Sequence, residues 1–198
     1  ADNVLGKANV RLIEGVNSLG VDLSDPNAQD DIVVSELHIP KGKKVHFKIR
    51  SQDVLHSAYF PHFRAQMNCV PGMVTEFAFV PILTSEEYRA LPFMVEKVKK
   101  INELREAKSK ELVAKGLPAL DPYTFDYLLI CNKICGASHY NMQMKITVVS
   151  PEDFKTWLAD KPTMAQQKKD AMVPAETVAP DSATDSTMVE APIVVLAN

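Results

Sequence analysis

From Lys44 to Arg50 apolar and polar side chains alternate strictly, with Val45, Phe47 and Ile49 set against Lys44, His46, Lys48 and Arg50. A period of two predicts a strand over 43–50 with one buried face and one wet face. Residues 32–36 (Ile-Val-Val-Ser-Glu) predict an earlier extended segment, and Pro40-Lys41-Gly42 supplies the turn between the two. Further strands are expected at 75–80, 124–130 and 144–149, with His56 at the end of the extended run from Val45 and Pro61 marking another turn. Several short strands separated by turn signals predict an all-β sandwich.

From Ser85 to Gly116 the period changes. Pro92 opens a run in which Met94, Val98, Ile101 and Leu104 recur at spacings of three and four, and Gly116 closes it. This predicts a helical insertion. Glu96 with Lys100, Glu106 with Lys110 and Glu111 with Lys115 stand in the favourable order for charge pairs worth only about 0.2–0.5 kcal/mol each. The insertion therefore reads as a solvated amphipathic helix packed on the sandwich. After Trp157 the composition shifts to Ala, Thr, Pro, Ser, Asp and Gln. The expected layout is a lead segment at 1–30, a domain at 31–160 with the insertion at about 85–116, and a flexible, disordered tail at 161–198, despite the apolar Ile193-Val194-Val195-Leu196 near its end.

Composition narrows the function classes. The chain has 198 residues, 46% hydrophobic and 24% charged, with a formal net charge of −3, which fits one globular domain and gives no case for nucleic acid. No apolar stretch approaches the roughly 20 residues of a membrane-spanning helix, and Ala1 is not followed by a signal pattern, so the chain as given is expected to be soluble. Three cysteines cannot all pair with one another, which leaves metal binding or a free thiol.

Those cysteines carry the candidate chemistry. Cys131, Cys135, His139 and Met142 fall within a dozen residues, and His56 lies far upstream in Asp53-Val54-Leu55-His56-Ser57. Soft thiolates, a thioether and imidazoles are the donor set copper prefers. A single blue copper site uses one cysteine, so a second at a spacing of four allows both sulfurs to bridge two ions. The strand expected before Cys131 and the one after Met142 would place these ligands on a loop between core strands. Taken one at a time the residues are less telling: the thiols could be buried hydrophobes or a local disulfide, and a lone histidine is more often an ordinary hydrogen-bonding group. His38 and His46 read as surface groups on strands and His62 is undecided. Met67, Met73 and Met144 read as core filler, although Met144 rivals Met142 as an axial ligand, and Cys69 reads as a buried free thiol.

The ligand order resembles the binuclear CuA site of cytochrome c oxidase subunit II. The resemblance covers roughly Asp31 to Trp157 without the insertion. It rests on Asp-Val-Leu-His-Ser at 53–57, Met-x-x-Val-Pro-Gly-Met at 67–73 and Cys-x-x-x-Cys-Gly-x-x-His-x-x-Met at 131–142. It implies a cupredoxin-like Greek-key β-sandwich on the periplasmic side of the inner membrane. It also implies two coppers bridged by Cys131 and Cys135, one completed by His56 and Met142, the other by His139 and the main-chain carbonyl of Lys133. Electrons would arrive from a c-type cytochrome and leave for haem in subunit I, where oxygen is reduced. Where the family usually has Glu this chain has Lys133, whose side chain cannot hold the family's magnesium at the subunit I interface. Asn68 and Cys69 replace a frequent Asp-Ala, removing a negative charge from the docking region. The family's two membrane helices and its Trp- and Tyr-rich entry strand are expected upstream of Ala1. Three readings compete: the CuA domain of a nitrous oxide reductase, a copper delivery or storage protein, and a thiol redox sensor.

Overall fold

The computed structural model describes residues 4–15, 17, 19–172 and 196–197. Eight strands build it: β1 (Leu37–Pro40), β2 (Val45–Ile49), β3 (His56–Phe60), β4 (Ala65–Cys69), β5 (Thr75–Phe79), β6 (Tyr127–Ile130), β7 (Gln143–Val149) and β8 (Leu196–Ala197). They form a five-stranded sheet in the order β1-β7-β6-β3-β4 and a three-stranded sheet in the order β5-β2-β8. Their facing sides enclose the core. Leu37, Ile39, Phe60, Ile146 and Val148 enter it from the larger sheet and Val45 and Phe47 from the smaller, all almost fully buried. Phe47 stacks on Phe77 and Phe79 and tilts against Phe60 at 5.0 Å, so aromatic rings bridge the two sheets. The expected cupredoxin-like sandwich is the observed architecture.

The alternation at Val45–Ile49 behaves as predicted, with Val45 and Phe47 buried and His46 and Lys48 exposed. Three strand expectations need correction. The segment expected at 32–36 forms instead at Leu37–Pro40, because Leu37 and Ile39 are the side chains that pack inward while β1 pairs in parallel with Ile146–Val149 of β7. His56 does not end the run from Val45; it opens a separate strand, β3, paired antiparallel with β4. The strand expected from 124 starts at Tyr127, although Phe125 is already buried.

The insertion forms two helices, α1 (Ser85–Arg89) and α2 (Pro92–Ala114). Thr84 and Glu87 make a reciprocal capping box at the start of α1, and Pro92 occupies the first position of α2, where its missing N–H costs nothing. Gly116 at φ +73 ends the helix in a conformation other residues resist. Met94 is buried and Val98 partly so, whereas Leu104 is 74% exposed, so only the first half of α2 packs on the sandwich. Ion pairs form at Glu96–Lys100 and Glu106–Lys110, but Glu111 pairs with Lys108 rather than Lys115. Arg89 ties the insertion to the sheet, donating to the Phe125 carbonyl at 2.7 Å and to Asp126 at 2.5 Å.

After β7 the chain turns through α3 (Pro151–Ala159), capped by Ser150, and α4 (Met164–Met172). Met164 is buried and its N–H donates to the Asp31 carbonyl at 2.8 Å, which fixes the start of α4. Near the C-terminus Leu196 and Ala197 pair with His46 and Val45 of β2. The stretch 173–195 lies outside the described residues.

Candidate metal centre

The pairing of the larger sheet assembles one end of the sandwich. β6 delivers the chain to Cys131 and β7 receives it at Gln143, so residues 131–142 form a loop between two core strands that pair antiparallel. The Cys131 N–H donates to the Met142 carbonyl at 3.0 Å, closing the loop at its neck. Gly136, at φ +137, turns the backbone in the only region of the loop that demands glycine, and a short 3-10 turn over Ala137–Asn141 then brings His139 back toward the cysteines. His56 comes from β3, which neighbours β6, and Ser51 bridges to Pro71 so that the segments before β3 and after β4 lie together at this end.

The six residues singled out in the sequence converge. The Cys131 and Cys135 sulfurs are 3.7 Å apart. His56 presents Nδ1 to the Cys131 sulfur at 3.9 Å, and His139 presents Nδ1 to the Cys135 sulfur at 3.4 Å. The Met142 thioether sulfur is 3.2 Å from the Cys135 sulfur, and the Lys133 carbonyl accepts from the Cys131 thiol at 3.2 Å while the lysine side chain points to solvent. The potential ligand atoms of His56, Cys131 and Cys135 all lie within 4.8 Å of one another. Met144, the rival thioether, is buried in the core instead.

Electrostatics at the thiols favours charge on one of them. Burial works against a thiolate at Cys131, but hydrogen bonds to its sulfur from the neighbouring backbone of Lys133 and Ser57, then from His56 and Cys135, outweigh it and lower the thiol to about 6. Burial and the adjacent Cys131 push Cys135 up to about 11. The pair therefore gives up its first proton readily and its second reluctantly. A cation seated between the sulfurs would stabilise both thiolates. Two thiolates, two imidazoles, a thioether and a carbonyl form a donor set that copper fits: soft sulfur in the middle, imidazole on each flank and weak donors beyond.

One contributor went unassigned in the sequence reading. The carboxylate of Asp53 lies 2.8 Å from His56 Nε2, which leaves Nδ1 free to face the sulfurs and fixes the ring's tautomer and direction. Its i, i+3 spacing from His56 was the available signal. Burial opposes protonation of His56, but Asp53 and then Cys131 raise it overall.

Other candidates lie elsewhere. Cys69 is a buried free thiol, as expected, directly opposite His56 in the β3–β4 register, and burial raises it. His46 is exposed beside Glu76 at 3.1 Å. His38 is not the surface group expected: its ring stacks on Trp157 at 4.7 Å, its Nδ1 is buried without a partner, and burial lowers its affinity for a proton. His62 sits edge-on to Phe125 at 4.8 Å. Met73, expected in the core, is 57% exposed.

No known protein-family profile matches the chain. Its sequence is 36% identical over 166 residues to the alternative cytochrome c oxidase subunit 2 of Bradyrhizobium diazoefficiens, an alignment covering 83% of this chain and 46% of that protein. It is 28% identical over 127 residues to cytochrome c oxidase subunit 2 of Thermostichus vulcanus, covering 64% of this chain and 26% of the relative. The chain thus spans less than half the length of these relatives. Among solved structures, the periplasmic domain of subunit II of a cytochrome oxidase from Bradyrhizobium japonicum aligns with a TM-score of 0.41 and 17% identity, covering 70% of this chain and 76% of that domain.

Proposed function

We propose, from the chain's kinship with cytochrome c oxidase subunit 2, that it is the electron-relay domain of a haem-copper terminal oxidase and holds a binuclear copper centre. The observation that carries this is the paired thiols at 3.7 Å, each with an imidazole Nδ1 beside it. Cys131 and Cys135 would be shared by both ions. His56 and Met142 would complete one ion, and His139 with the Lys133 carbonyl the other. The bound copper supplies a site that gains and loses one electron without a change of bonding partners.

The protein's own task is to keep that cage still. Asp53 holds the His56 ring. The neck hydrogen bond from Cys131 to Met142 and the β6–β7 ladder hold the loop ends. Rigid ligands lower the reorganisation needed at each transfer, which is what a relay requires. The donor would be a c-type cytochrome and the acceptor haem in the oxidase's subunit I, where oxygen is reduced in an oxidoreductase, proton-translocating complex. The domain would stand on the periplasmic side of the inner membrane, anchored through a longer subunit. Among the described residues no helix is long and apolar enough to cross a membrane. The exposed cation of Lys133 offers no ligand for magnesium, so magnesium is not assigned to this chain.

Loading with copper, counting metal per chain and recording the paramagnetic resonance spectrum tests the assignment. Two ions per chain with one electron spread equally over two nuclei support it. One copper with a single-nucleus hyperfine pattern, or one colourless zinc held by the same cysteines and histidines, would overturn it. Replacing either cysteine by serine must abolish the shared-electron spectrum.

A further inference from the structure

β1 turns Leu37 and Ile39 into the core and His38 to the other face, where α3 packs over it. The His38 ring stacks on Trp157 at 4.7 Å with 23° between the planes, and Trp157 leans on Phe154 at 5.8 Å. Among the described residues, His38 Nδ1 is the one buried side-chain nitrogen or oxygen without a hydrogen-bond partner. A neutral ring tolerates this, because one of its nitrogens carries no proton. An imidazolium carries N–H at both nitrogens, so charge on the ring would leave a buried donor facing no acceptor. The charged groups that reach the ring are Glu36 before β1, Lys145 on β7 and Lys161 just past α3. Lys145 lies 3.1 Å from Asp126 and Lys161 3.9 Å from Asp160. Lys161 Nζ also sits 5.7 Å from the centre of the Trp157 ring, so a charged His38 would be a second cation at one indole.

We propose that the stack of His38 on Trp157 is a pH-operated latch: as the medium acidifies, a proton on His38 releases Trp157 and the C-terminal half of α3 from β1. The hinge is the other end of the helix, where Ser150 caps α3 and Phe154 is buried. Beyond the latch the buried Met164 and its hydrogen bond to the Asp31 carbonyl anchor α4 to the segment that leads into β1. Release of Trp157 therefore loosens α4 and residues 31–36 together. A freed ring takes up its proton in the ordinary histidine range, near 6.5, and the docked ring only below it, because burial, with Lys161 and Lys145, outweighs Glu36. Above that range the latch stays shut whatever the pH. Below it the open fraction rises by up to about tenfold per pH unit, until the docked ring is charged as well. None of these residues belongs to the metal cage, so the latch stands or falls independently of the copper assignment.

Trp157 is the chain's single tryptophan, so its emission reports the latch without a label. Titration from about pH 7.5 to about pH 5 should move that emission to longer wavelength and raise its quenching by acrylamide, with the midpoint at which the His38 ring resonances titrate. Amide exchange, corrected for its intrinsic pH dependence, should quicken about tenfold or more across 156–172 at the acid end while β2 and β6 keep their protection. His38→Phe keeps a ring against Trp157 and His38→Gln keeps a polar group; neither titrates, and each should leave emission and exchange flat over this range. Where a variant fails to fold, the exchange pattern of the parent chain decides. Constant emission and exchange in the parent would overturn the proposal, as would a shift that survives in either variant. Dimmer emission with no gain in acrylamide access would also refute it, since that is quenching by an imidazolium in a closed stack. So would exchange that quickens throughout both sheets, which is loss of the whole fold and not release of a latch.

Discussion

The contact between Asp53 and His56 makes a quantitative test of how the cage is held. The carboxylate accepts from Nε2 at 2.8 Å while Nδ1 faces the Cys131 sulfur at 3.9 Å, so one hydrogen bond decides both the tautomer and the aim of the ring. Partners of this kind are worth about 10–100-fold in metal affinity, or about 1.4–2.7 kcal/mol. The Asp53 side chain is 68% exposed and that of His56 only 16%. Water can therefore replace the lost carboxylate but cannot re-aim the ring, which places Asp53→Ala near the lower bound, about tenfold. Asp53→Asn keeps an acceptor oxygen without the charge and should lose about half that free energy, because charge-assisted hydrogen bonds are about twice as strong as neutral ones. The assay is anaerobic competition for copper against a chelator of known affinity, followed by visible absorption. Parental affinity in the alanine variant would refute the orienting role. A loss beyond roughly a thousandfold, well outside the range for an outer partner, would mean that Asp53 itself binds metal.

Four further outcomes are expected. In the metal-free chain, alkylation of Cys131 should rise with a midpoint near pH 6 while Cys135 stays unreactive until far more alkaline pH; trypsin cleavage after Lys133 puts the two on separate peptides for mass spectrometry, and equal labelling at pH 7 would contradict the assigned thiolate. Because burial lowers the proton affinity of His38, the unfolded chain binds more protons than the folded one below the ordinary histidine range, so stability falls with pH there; His38→Phe, which keeps a ring against Trp157, should flatten the urea midpoint between pH 7 and 5. Phe60→Ala, at a fully buried ring touching Phe47, Phe63, Phe77 and Phe79, should cost about 3–5 kcal/mol by urea denaturation, and a loss below about 1 kcal/mol would show that the sheets do not meet there. Arg89→Ala, which removes the bonds to Phe125 and Asp126, should speed amide exchange across α1 and the start of α2 while β6 and β7 stay protected.

What could be read from the sequence followed from local physics. Strict alternation located β2, and Pro92 with Gly116 bounded α2, because each signal acts within its own segment. Most of what escaped depends on long-range pairing. β3 runs through His-Ser-Ala-Tyr-Phe, where alternation is weak, and is a strand because it pairs with β4 and β6; β4, Ala-Gln-Met-Asn-Cys, alternates strictly over five residues, a short local signal that the sequence reading passed over. The shift of β1 to Leu37–Pro40 has the same origin: its parallel partner lies more than a hundred residues away in β7. His38 was misread because nothing local announces that Trp157 of α3 will cover it.

The candidate site divides along the same line. Four donors share the 131–142 loop, so their spacing is visible in the sequence, whereas the Lys133 carbonyl came only from the family resemblance. His56 is different in kind: seventy-five residues separate it from Cys131, and only the adjacency of β3 and β6 makes it a neighbour. Asp53 depends on His56 in turn. The cage therefore couples a loop that is locally encoded to a histidine that exists as a ligand only once the larger sheet has formed. On the proposed assignment, metal binding and folding would be linked through β3, since copper held by His56 would stabilise the strand pairing that delivers it.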